Sequence, residues 1–183
     1  VSAEARHLDS LPMGPIRAEI EIDAPREQVF EALLDLSRRP SFTDHFLAGF
    51  NLTRIDPTGV GAGARFCVEG PVRNIWMDTT IVATEPPFRI VEEGAGGRVN
   101  RIPNHTVWEL TEAPGSLTCV RLSHWSEPAA VDRGLELLSG GSLWLGRGWR
   151  KALRRLRDEL EAEAPLPERV AVAGGNRHAT GIP

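Results

Sequence analysis

Between Ile16 and Asp23 apolar and charged residues alternate, with Ile16, Ala18, Ile20 and Ile22 set against Arg17, Glu19, Glu21 and Asp23. A period of two places the apolar set on one face of a half-buried antiparallel strand. The period then lengthens. Val29, Phe30, Leu33, Leu34 and Leu36 form the apolar stripe of a short helix, with Pro25 suited to its first position and Glu27 adding negative charge to its first turn. Pro40 interrupts that helix. Phe42, Phe46 and Phe50 follow at intervals of four and predict a second short helix or a set of turns leading into the next strand.

From Gly49 to Glu127 the pattern is one of short strands, expected near 50–56, 64–69, 73–84, 88–93, 101–111 and 117–126. The segments Pro57-Thr-Gly, Gly61-Ala-Gly63, Glu85-Pro-Pro, Gly94-Ala-Gly-Gly97 and Ala113-Pro-Gly115 separate them. Links this brief favour antiparallel meander pairing over crossover units. After Glu127 the period returns to that of a helix. Trp149, Leu153, Leu156 and Leu160 recur at steps of four, three and four, and this stripe needs an apolar partner, which the concave face of the sheet supplies. Gly140, Gly141, Gly146 and Gly148 weaken the approach, so the stretch 131–148 is expected to be bent or mobile. Pro165 and Pro167 end the helix. The chain divides into an N-terminal extension (1–15), one domain (16–163) and a C-terminal tail (164–183).

Composition changes this picture little. A chain of 183 residues with 41% hydrophobic and 25% charged residues suits one globular domain with its own core. A net charge of -4 gives no reason to expect nucleic acid as partner. No window approaches a membrane span and no signal peptide opens the chain, so cytoplasmic residence without integral membrane association is the default expectation. Cys67 and Cys119 stand apart and read as small buried thiols. A nucleophile elbow, an HExxH pair and a Cys/His pair are all missing, so neither a metal, a cofactor nor a covalent mechanism is expected.

The order strand, two short helices, six strands, long helix resembles the helix-grip (Bet v 1-like) fold of the START-like, or SRPBCC, superfamily, in its polyketide cyclase/dehydrase and lipid-transport form. The motifs that carry the likeness are IEIDAPREQVFEALLDL, GVGAGARF, TIVATEPPFRIV, VWELTEAPGSLTCVRLS and ALRRLRDELE, in that order. The resemblance implies an α+β domain in which a curved antiparallel sheet of about seven strands wraps around the C-terminal helix, leaving a cavity between them. It covers about Ile16 to Glu163. Phe42 and Phe46 stand where the family often has a tryptophan, near the expected mouth of the cavity.

Strand alternation names the candidate lining. With Arg121 in solvent, Thr118, Val120, Leu122 and His124 face inward; with Glu109 in solvent, so do Asn104, Thr106, Trp108 and Leu110. In the central strand Met77, Thr79 and Ile81 are the inward set, although a register slip of one residue would exchange them for Trp76 and Asp78 and make Asp78 the acid of the cavity. Phe30, Phe42, Phe46, Phe66, Val68 and Trp149 add apolar wall, and Trp144 with Leu145 suggests a lid. Asp44 and His45, adjacent in sequence, read as surface residues because neighbouring side chains diverge. The basic set from Arg147 to Arg157 precedes Asp158, Glu159, Glu161 and Glu163, the pattern of a solvated helix face.

These features predict binding of a small hydrophobic or amphipathic molecule such as a lipid, quinone or polyketide-like aromatic. Burial of apolar ligand surface, at ~25 cal/mol per Å², would drive it, with His124, Thr79 and Asn104 setting orientation. Two alternatives use the same residues. One is a cyclase or dehydratase with His124 as general base. The other is an interaction module that uses Trp76, Trp125 and the tail, with a homodimer as its simplest form.

Overall fold

The computed structural model describes residues 13–71, 73–97, 102–115, 117–126 and 141–163. Strand β1 (Met13–Ile22) leads into helix α1 (Arg26–Leu34), a single 3-10 turn (Leu36–Arg38) and helix α2 (Arg39–Thr43). Six strands follow, β2 (Leu47–Leu52), β3 (Gly63–Glu69), β4 (Asn74–Glu85), β5 (Arg89–Gly96), β6 (Ile102–Ala113) and β7 (Leu117–Ser126), and then helix α3 (Gly141–Glu163). The strands form one antiparallel sheet in the order β1-β7-β6-β5-β4-β3-β2. This is the α+β helix-grip architecture that the sequence predicts. β1 starts three residues before the expected Ile16, and Pro25 stands just outside α1, whose first residue is Arg26.

Alternation sorts the two faces of the sheet as expected. Ala18 and Ile22 are buried while Glu19 and Glu21 are exposed. In β4 Met77, Thr79 and Ile81 are buried and Trp76 is 46% exposed, its ring lying 5.5 Å from the Arg65 guanidinium. Phe66 pairs with Met77 and Ala64 with Thr79, so β3 and β4 share one inward register, and Asp78 is on the outer face beside Arg65. The sheet curls where glycine allows close approach: a Cβ on Gly94 would lie 1.8 Å from the Asp78 carbonyl oxygen.

Helix α3 lies on β1 and α2 and buries Trp149, Ala152, Leu153, Leu156 and Leu160 in the core. Its described part is a continuous helix from Gly141; positions 131–140, Gly140 among them, lie outside the described residues, as do 1–12 and the tail from 164. Gly148 has a packing reason. A Cβ on Gly148 would meet the Phe46 ring at 2.9 Å, so the helix sits as close to that ring as its backbone permits.

Polar ties fix α3 to the first helices. Arg38 reaches Glu159 at 2.7 Å and Glu163 at 3.0 Å, and Ser41 donates to Glu159 at 2.6 Å. Arg155 pairs with Asp44, which that guanidinium holds below the usual carboxylate range. The α3 face is therefore engaged with α2 as well as solvated. Asp44 is exposed and His45 half-buried, with His45 Nε2 3.1 Å from the Gly148 carbonyl oxygen.

Candidate functional site

A cavity lies between the concave face of the sheet, the α2 region and the first turns of α3. Its apolar walls are Leu36, Leu47, Phe50, Phe66, Val68, Met77, Leu145 and Trp149, and its polar end is Arg39, Thr79, Glu92, Asn104, Thr106 and His124. It encloses about 480 Å³ of free space counted with its open mouth, of which about 30 Å³ admits the centre of a water molecule, room for about two waters. Phe50 and Phe66, both half-buried, stack with ring centroids 5.6 Å apart and planes 4° from parallel.

Strand pairing builds the polar end. Glu92 on β5 faces Thr106 on β6, which faces His124 on β7, so three successive strands contribute one row. Thr106 Oγ1 and His124 Nδ1 are 2.8 Å apart and share one hydrogen bond. Burial pushes the His124 imidazole down to about 4, against the pull of the Glu92 carboxylate in the other direction, so the ring is neutral at pH 7. Whichever atom of the Thr106 pair carries the shared proton sets the role of His124 Nε2: a donor if Thr106 donates, an acceptor if the ring donates.

A buried ion pair stands beside this row. Arg39 and Glu92 are each 3% exposed, and their charged groups are 2.7 Å apart. Glu92 Oε1 also accepts from the Trp108 indole N–H at 2.7 Å, and Oε2 accepts from the Thr79 hydroxyl at 3.2 Å. The Arg39 guanidinium lies over the Trp108 ring at 4.8 Å, which holds its plane between an aromatic face and a carboxylate.

Of the predicted lining, Phe66, Val68, Met77, Thr79, Asn104, Thr106, His124, Leu145 and Trp149 come together on this cavity. Phe30, Phe42, Phe46, Ile81, Trp108, Val120 and Leu122 instead belong to the core behind it. Phe42 and Phe46 are therefore not at the mouth: they are sealed under α3, where Phe46 meets Trp149 edge-on at 5.1 Å. Trp144 packs on Phe46 at 6.2 Å, outside the lining. Arg39, Glu92, Leu36, Leu47 and Phe50 are lining residues that sequence reasoning misses. Glu92 pairs opposite Thr106, so the inward reading of Thr106 is the signal that points to it.

Among the described residues no group of three or more His, Cys, Asp or Glu is placed to hold a metal ion. Burial pushes both the Cys67 and Cys119 thiols up, away from the nucleophilic thiolate. Among the described residues no helix is long and apolar enough to cross a membrane.

The fold and this half-apolar, half-polar cavity define a helix-grip protein with an internal site between sheet and helix. The chain matches the polyketide cyclase/dehydrase and lipid transport family over residues 13–161, and it belongs to that family. No curated protein matches the chain. Among solved structures it is similar to the KanY protein, at 20% identity with a TM-score of 0.68 over 81% of this chain and 99% of that one. The protein TTHA0849 from Thermus thermophilus is similar at 17% identity with a TM-score of 0.64, over 82% and 99% of the two chains. DynU16, from the dynemicin biosynthetic locus, is similar at 22% identity with a TM-score of 0.56; the match covers 82% of this chain and 48% of that one.

Proposed function

We infer that this protein binds a small, largely hydrophobic molecule in the cavity between sheet and α3, with the polar row on β5, β6 and β7 orienting it. The observation that carries this reading is the lining of the cavity, eight apolar side chains with six polar ones, the composition of sites that gain affinity from apolar burial and selectivity from a few polar groups. Family membership points the same way, since the family covers both lipid transport and polyketide cyclisation or dehydration. Native mass spectrometry of the freshly purified protein, followed by organic extraction, is the test. A retained apolar molecule is expected. A protein that carries nothing and takes up no hydrophobic fluorescent probe overturns the reading.

A cyclase or dehydratase reading has one specific observation behind it: His124, neutral at pH 7, lines the cavity and is available as a base. Its depressed basicity weighs the other way, because a general base works best with a pKa near the operating pH. Orientation is therefore the role assigned to His124, with catalysis second. Turnover of an enolisable polyketide-like substrate that disappears in His124→Gln, while binding persists, would reverse that order.

A further inference from the structure

Each strand of the polar row carries a neighbour that points the other way: Glu93 on β5, His105 on β6 and Trp125 on β7, paired in that order across the three strands. With Gly94, Pro103 and Asn104 they line a groove on the outer face of the sheet, with about 220 Å³ open to water centres. The groove is accessible. The Glu93 side chain is 61% exposed and that of His105 39%, and Trp125 is half-buried.

Two other tryptophans of this chain stand near a carboxylate, and an arginine occupies each set. In the core the Arg39 guanidinium lies 4.8 Å from the Trp108 ring and 2.7 Å from Glu92. On the outer face the Arg65 guanidinium lies 5.5 Å from the Trp76 ring, and its Nε is 3.8 Å from Asp78. Trp125 and Glu93 make a third set without one. Among the described residues no guanidinium lies over Trp125, whose ring meets that of His105 at 5.5 Å. Glu93 has only His105 Nδ1 near it, at 3.6 Å, too far for a hydrogen bond, so its oxygens are free to accept.

Spacing and charge then select the group that fits. Glu93 and Trp125 are two strands apart, about 10 Å between backbones, which leaves room for a flat cation with one face on the indole and one edge on the carboxylate. A guanidinium makes both contacts at once, because its fork donates in plane while its face stacks on aromatic rings; the compact ammonium of a lysine has no such face. An anion would meet the Glu93 charge. Pro103 adds an apolar surface for an aliphatic stem, and no arginine or lysine lines the groove to match the α-carboxylate of a free amino acid.

We propose that this outer groove is a recognition site for an arginine side chain presented by a partner polypeptide, its guanidinium held between Trp125 and Glu93. It is separate from the cavity on the concave face, and its failure would leave the reading of that cavity untouched.

Titration of the isotope-labelled full chain at pH 7.5 with acetyl-Gly-Arg-Gly-amide, and with the same peptide carrying lysine or citrulline in place of arginine, tests it by NMR. The arginine peptide should shift the Trp125 indole N–H signal. It should bind about tenfold more tightly than the citrulline peptide, which keeps the shape without the charge, with the lysine peptide in between. Glu93→Gln and Trp125→Leu should each remove most of that preference, whereas Trp76→Leu, whose indole already carries Arg65, should leave it unchanged. Glu93 is exposed, so its variant reads the site without disturbing the core. Free arginine that binds as tightly as the peptide overturns the polypeptide as the source of the guanidinium. Arginine and citrulline peptides that bind alike, or shifts at Thr106 and His124 in place of Trp125, overturn the site.

Discussion

The Arg39 guanidinium and the Glu92 carboxylate meet at 2.7 Å beneath the concave face of the sheet, each side chain almost wholly shut off from water. Removing two charges from water costs several kcal/mol per ion, so such a pair persists only where geometry and extra hydrogen bonds compensate. Here Trp108 and Thr79 supply the extra bonds to the carboxylate, and the Leu33 carbonyl oxygen, 3.3 Å away, receives one from the guanidinium. The pair ties α2 to β5 and sets the polarity of one end of the cavity.

Breaking the pair on one side should therefore cost more than removing it. Glu92→Gln leaves Arg39 charged and buried without a counterion, and urea unfolding should show a loss of about 3–5 kcal/mol. The double variant Arg39→Met with Glu92→Leu should recover most of that loss, because a buried pair replaced by apolar side chains of similar size is often neutral. A single variant that loses less than about 1 kcal/mol would mean that the Arg39 charge finds compensation elsewhere.

How far this site is legible in the sequence follows from the same residues. Alternation places Met77, Thr79 and Ile81 inward, with His124 and Thr106 beside them, because each has a charged or polar neighbour that marks the outer face. The segment Ile90, Val91, Glu92, Glu93 has one apolar and one acidic residue on each face, so a period of two assigns neither. Arg39 precedes Pro40 in a charged stretch, and charged residues are expected outside unless a partner is known. The buried pair is thus hidden by each partner separately. Phe42 and Phe46 are hidden differently: their spacing of four fits the short helix and the turn that follow Pro40, but it does not say that both rings face the core rather than the mouth of the cavity.

Two glycines in α3 should respond with opposite signs. At Gly146 an added Cβ would find Ile16 at 3.5 Å and Arg150 at 3.6 Å, ordinary contact distances. Gly146→Ala should then stabilise by about 0.5–1 kcal/mol through helix propensity alone. At Gly148 the same methyl meets three atoms of the Phe46 ring at 2.9, 3.0 and 3.2 Å. That ring is held by Trp144 and Trp149 and has little room to yield. Overpacking costs roughly 1–3 kcal/mol, which exceeds the propensity gain, so Gly148→Ala should destabilise. Thermal unfolding of the two variants checks the pair, and a shift of the same sign in both would show that the Phe46 contact is soft.

The depressed basicity of His124 predicts a pH dependence of stability. The imidazole takes up a proton near 6.5 when unfolded but only at about 4 when folded. Between those values the unfolded chain binds the extra proton. The contribution of His124 is therefore complete above about pH 6.5 and is lost as the pH falls toward 4, to a total of roughly 3 kcal/mol. His45 is also pushed down by burial and acts in the same direction, so the comparison must be with His124→Gln rather than with pH alone. The difference in unfolding free energy between the two proteins should shrink by roughly that amount from pH 7 to pH 4. A constant difference would show that His124 is hydrated and protonates freely in the folded state.

The stacked pair Phe50 and Phe66 should govern access to the cavity. Both rings line it, both are half-buried, and with about 30 Å³ open to water centres a ligand larger than two waters must displace side chains before it fits. Phe50 lies on β2, the edge strand, whose pairing with β3 is interrupted between Ala48 and Asn51. Neighbouring backbone there is less constrained than on β6 or β7, which are paired on both sides. An aromatic contact of this kind is worth about 0.5–1.5 kcal/mol, so Phe50→Leu should speed uptake of a hydrophobic fluorescent probe roughly two- to twelvefold in stopped-flow mixing. The ratio of association to dissociation rates should change far less, because a leucine still covers the ligand. An unchanged association rate would place the opening elsewhere, with Leu145 at the start of α3 as the next side chain to truncate.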